Sequence, residues 1–244
     1  ISLLLATNIQ LARLFCVIIP LYCLYEHNLK DSPLFSKLKG LLVFVPILIY
    51  PFYQYIFSNN STETPLFTIL LALNIVLAGV LLGLNSDEKL SKINGIYLLI
   101  LAILTPKLYY DSKTKNIMFT NNKLWGIVYS VLLTSTYLFN DFYYKMDWRY
   151  AGIYSNIIPT MHAIMFNDTS LWLPLRAYSL VITFLVMLKF PFIEQSLSEE
   201  INSKILWSTD KYDPIKSVAS VAELIFTGLL IKQGPYGTIM EYFM

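Results

Sequence analysis

Apolar runs broken by polar connectors recur along the chain, and about 20 apolar residues are what a helix needs to cross a hydrocarbon core with its own amides satisfied. The first run, Ile1 to Tyr25, holds a single charge, Arg13, and lacks the basic start and small-residue cleavage site of a signal peptide. Leu38 to Phe57 carries Pro46 and Pro51, which predict a kink. Leu66 to Leu84 is uncharged, and its small residues Ala72, Ala78, Gly79 and Gly83 suit close helix approach. Ile93 to Tyr110 is interrupted by Pro106 and Lys107. Leu124 to Phe142 and Leu171 to Ile193 follow, the latter with Arg176, Lys189 and Pro191. Val218 to Ile231 is short for a span before Lys232 and the Gly234-Pro235 breaker. Tyr150 to Asp168, with Pro159 and His162, reads as an interfacial or re-entrant helix, and Glu194 to Ser217 as a solvated connector. The expected fold class is therefore all-α: a polytopic integral membrane helical bundle of six or seven transmembrane helices, one domain over residues 1–244.

Composition strengthens that picture. Of 244 residues, 56% are hydrophobic and only 14% charged, with a mean hydropathy of +0.55, which excludes disorder. The net charge of +2 supplies no basic field for counterion release, so nucleic acid is not an expected partner. Lysines occur in loops on both sides of any alternating topology, so they do not orient the chain. Cys16 and Cys23 sit in one apolar run with no metal-site spacing. Sequons at Asn59, Asn60 and Asn167 are acceptors only if their loops are lumenal.

Candidate chemistry is sparse. There is no phosphate-binding glycine loop, no HExxH, no GxSxG and no cysteine-rich metal site, and two histidines, His27 and His162, cannot build a multi-histidine di-iron centre. What stands out are ionisable residues in or beside apolar runs: Arg13, Asp141, Lys145, Asp147, Arg149, Arg176, Lys189, Glu223 and Lys232. The densest group, Asp141 to Arg149, also reads simply as a helix end with interfacial aromatics and mutually paired charges.

Ser135-Thr136 followed by Lys145-Met146-Asp147-Trp148 resembles the hallmark of the EXS family, the membrane domain of eukaryotic phosphate exporters and of the yeast Golgi protein required for retention of lumenal ER proteins. Downstream, Tyr178 through Leu188-Lys189-Phe190 is similar to that family's tyrosine-to-arginine stretch, with Lys189 in place of its arginine, and Ala222-Glu223-Leu224-Ile225 falls where the family has its glutamate motif. The chain is a divergent match. Phe142 and Tyr143 stand in the place of a Trp-Asp pair, Arg149 follows the Trp, Leu185 replaces an Asp, and Phe226 and Thr227 stand where paired arginines are expected.

The resemblance implies an endomembrane multi-pass protein, in Golgi or ER, that moves or senses inorganic phosphate and is linked to Golgi retention of other proteins. Asp147 and Glu223 would then orient basic groups along the path, and Lys189 would supply positive charge to the anion, with Lys232, Arg149 and Arg176 as reserve cations. No catalytic residue, metal or cofactor is expected, and the partners are the lipid bilayer, inorganic phosphate and a membrane protein. Two alternatives stand beside it. One is a non-catalytic subunit of a larger membrane complex. The other is a membrane prenyltransferase-like enzyme in which Asp141 with Asp147, and Asp210 with Asp213, hold Mg²⁺ against a diphosphate.

Overall fold

A computed structural model describes residues 8–26, 62–85, 89–114, 116–119, 123–139, 149–166, 168–189, 213–234 and 236–244. Its elements in chain order are α1 (Ile9–Glu26), β1 (Thr62–Glu63), α2 (Pro65–Asn85), α3 (Lys89–Ile103), β2 (Leu108–Asp111), β3 (Asn116–Phe119), α4 (Lys123–Phe139), α5 (Arg149–Phe166), α6 (Trp172–Lys189), α7 (Asp213–Gln233) and a closing 3₁₀ turn, Ile239–Tyr242. The apolar run Leu38 to Phe57 lies outside the described residues.

Local chemistry sets the helix starts. Asn8 accepts the Leu11 amide on its side chain at 3.1 Å and so caps α1. Pro65 occupies the first position of α2, where its missing amide costs nothing, and the preceding Thr64 carbonyl accepts the amides of Phe67 and Thr68. At the head of α6, Asp168 accepts the Ser170 amide at 2.8 Å and its hydroxyl at 2.7 Å.

The helices pack around α4, which touches α3, α5 and α7, while α2 pairs with α3 and α6 lies against α5 and α1. Gly79 permits the α2–α3 approach, because a Cβ there would lie 2.9 Å from the Gly95 carbonyl oxygen. At the head of α4 an aromatic box closes the core. Trp125 stacks on Tyr129 at 5.1 Å between centroids, Trp172 meets Tyr129 edge-on at 5.3 Å, and Phe119 of β3 packs on both tryptophans. The Trp125 indole donates to the Leu101 carbonyl at 3.0 Å, which ties the box to α3.

Three corrections follow. The fold is not all-α: it is mostly helical with a three-stranded antiparallel sheet, β1-β2-β3, in the register Tyr109↔Met118 and Glu63↔Tyr109. Pro106 ends the helical run that was expected to reach Tyr110. Tyr109 and Tyr110 enter a hairpin instead, whose turn is held by Asp111 accepting the Thr114 amide at 2.8 Å and hydroxyl at 2.7 Å. Nor does a transmembrane bundle emerge, because over the described residues no helix is long and apolar enough to cross a membrane. Helices α1, α3, α4, α5 and α6 have 18 residues or fewer, a rise of about 27 Å against about 30 Å of hydrocarbon. The expected integral-membrane placement in Golgi or ER rested on those spans and falls with them. Within the segment Tyr150 to Asp168, the residues up to Phe166 belong to helix α5, with Ile153, Ser155 and Asn156 buried against its neighbours.

The C-terminal segment is fastened to the sheet. Lys107 pairs with Glu241 at 2.7 Å and Glu63 at 3.6 Å, and its amide donates to the Gly237 carbonyl at 2.8 Å. The positive φ of Gly237, 72°, lets the chain turn there.

Candidate functional site

Two buried polar centres flank α4, and they are opposite in character. The first gathers hydrogen-bond donors where α4, α5 and α6 meet. Arg176, one turn into α6, is 9% exposed, and its Nη1 donates to Ser155 Oγ at 3.3 Å and to Asn156 Oδ1. The guanidinium lies 4.9 Å from the Tyr129 ring centroid and 5.8 Å from that of Trp172, so two π faces offset part of the cost of burying its charge. Among the described residues no carboxylate pairs with it. Nδ2 of Asn156 and Nε1 of Trp172 are buried donors without a partner. A Cβ at Gly126 would make ordinary contact with that indole nitrogen, 3.5 Å away. Alongside, Thr160 donates to Ser130 Oγ at 2.6 Å across the α4–α5 interface. Burial also pushes the Tyr129 phenol upward, against the opposing Arg176 charge, which keeps it neutral.

The second centre gathers acceptors where α3, α4 and α7 meet. Glu223 is fully buried, and neither of its carboxylate oxygens has a hydrogen-bond partner. The Ser135 hydroxyl is close enough to favour the charged form but does not reach hydrogen-bond geometry. Burial outweighs it and pushes the Glu223 carboxyl up to about 7. Asn94 donates from Nδ2 to Ser135 Oγ at 3.4 Å, leaving its Oδ1 unpartnered, and the buried Thr227 Oγ1 lacks a partner as well. Tyr97, one turn beyond Asn94, is pushed upward first by its burial and then by the Glu223 charge.

Of the expected site residues, Glu223 alone has described surroundings. Asp147 lies outside the described residues, as do Asp141 and Asp210, while Lys189 ends α6 with only its backbone described. Glu223 is not seen orienting a basic group: its described neighbours are neutral. Arg176, named above as a reserve cation, instead heads the donor centre. Lys232 is exposed near the end of α7. Ser155, Asn156, Asn94 and Thr227 were missed. One signal for them was available in the spacing, since Asn156 with Thr160, and Glu223 with Thr227, place polar groups one turn apart on a single helix face. Among the described residues no three His, Cys, Asp or Glu side chains gather to hold a metal.

No family model, curated protein or solved structure matches the chain.

Proposed function

We propose that the chain binds inorganic phosphate, and so senses it, in the buried centre around Arg176. The observation that carries this reading is a buried guanidinium with only neutral described partners, next to two further buried donors that have no acceptor, Asn156 Nδ2 and Trp172 Nε1. Arginine presents its N–H groups in a planar fork that matches an oxyanion bidentately. In a low-dielectric interior each such bond is stronger than in water, and an arriving anion removes the cost of an uncompensated charge. The similarity of Ser135-Thr136 and Asp147-Trp148 to the phosphate-exporter motif supports the choice of phosphate among oxyanions. Export across a bilayer is not part of the reading, since no described helix is long and apolar enough to cross one.

The test is thermal unfolding of the purified chain in phosphate and in chloride at equal ionic strength. A ligand of the folded state at about 100 times its Kd stabilises by roughly 2.7 kcal/mol. The Tm is expected to rise with phosphate in the wild type and to stay flat in Arg176→Gln. A flat wild type, or an equal rise in both, refutes the assignment.

A second reading, a non-catalytic subunit of a larger assembly, is favoured by exposed apolar faces. Val218, Val221, Leu224, Ile225 and Leu229 on α7 all lie open, as do Met161, Ile164 and Met165 on α5. Contiguous apolar surface of this kind marks an interaction site. Light scattering on the purified chain that gives a monomer at all concentrations, with no co-purifying protein, contradicts it.

A further inference from the structure

The acceptor centre has a chemistry of its own, independent of phosphate. It contains one carboxylate, Glu223, fully buried and unpartnered at both oxygens, together with the unpartnered Asn94 Oδ1 and Thr227 Oγ1. Ser135 Oγ, which accepts from Asn94, retains a further lone pair. These groups come from three mutually packed helices: Asn94 from α3, Ser135 from α4, Glu223 and Thr227 from α7. Thr227 follows Glu223 by one turn and is buried on the same face. Unpartnered buried acceptors call for something positive, either a proton or a hard cation that takes oxygen ligands.

We propose that Glu223, Asn94, Thr227 and Ser135 form a sodium-binding site at the α3–α4–α7 junction. A single negative charge selects a monovalent ion, because a divalent one would leave net positive charge buried without compensation. Neutral hydroxyl and amide oxygens complete the coordination of a dehydrated ion.

The experiment is thermal unfolding of the whole chain in sodium chloride against N-methyl-glucamine chloride at matched ionic strength, at about pH 8. The proposal expects a sodium-specific rise in Tm of several degrees. In Glu223→Gln the rise is absent. Thr227→Val, which keeps the carboxylate and differs little in volume, needs at least threefold more sodium for the same rise. An absent sodium effect in the wild type, an equal effect in Glu223→Gln, or a larger effect from calcium than from sodium overturns the proposal.

Discussion

Replacing Glu223 by Gln in sodium-free buffer isolates the free energy of one buried carboxyl. The unfolded chain releases this proton as pH passes the ordinary value of 4.5, whereas the folded chain releases it only near 7. Stability from this group is therefore full below the lower value, falls as pH rises through the window, and levels off above the upper one. At about 1.36 kcal/mol per pH unit, the span from 4.5 to about 7 amounts to roughly 3 kcal/mol. Glutamine keeps the shape and cannot ionise, so the variant loses that slope and is the more stable protein at about pH 8, by roughly 3 kcal/mol or about 6–12 °C in Tm for a chain of this size. Asp111, Asp168 and Glu241 are held below the ordinary carboxylate range, so their titration leaves the window clear. Urea unfolding of both proteins at about pH 5, 6, 7 and 8 provides the curves. Parallel curves, with the wild type losing no more stability than the variant across the window, refute the reasoning.

Further outcomes follow from the packing. Gly79→Ala drives a methyl to 2.9 Å from the Gly95 carbonyl oxygen and is expected to destabilise by about 1–3 kcal/mol in denaturant unfolding, the usual cost of overpacking. Gly228→Ala meets nothing within 4 Å and is expected to stabilise α7 by up to about 1 kcal/mol through helix propensity. Trp125→Ala removes a fully buried indole, its stack on Tyr129 and its bond to Leu101, at an expected cost of about 3–5 kcal/mol in the same assay. Arg176→Lys keeps the charge without the fork and is expected to weaken phosphate roughly tenfold or more by calorimetric titration.

The helices were legible in the sequence to within a few residues where an apolar run coincided with one element. Leu66 to Leu84 became α2, and the start of Leu171 to Ile193 became α6. The sheet was hidden for a physical reason. All four residues of β3 are buried, so no polar alternation marks the strand, and Tyr109 and Tyr110 looked like the tail of a helix. Apolar content was read as lipid exposure because a run of buried core residues and a run facing hydrocarbon have the same composition. Of the polar centres, Arg176 and Glu223 stood out as charges among apolar neighbours. Asn94, Asn156 and Ser155 carry no charge, and only tertiary packing brings Asn94 against Ser135, and Ser155 and Asn156 against Arg176. The candidate carboxylate of the hallmark-like segment, Asp147, lies outside the described residues.

The most direct test of the Arg176 assignment is equilibrium dialysis of radiolabelled phosphate against the wild-type chain and Arg176→Gln, with sulfate as competitor. The account predicts saturable binding of one phosphate per wild-type chain and its loss in the variant, whose folding is checked by an unchanged unfolding midpoint in chloride. No saturable binding by the wild type, or equal binding by both proteins, contradicts it.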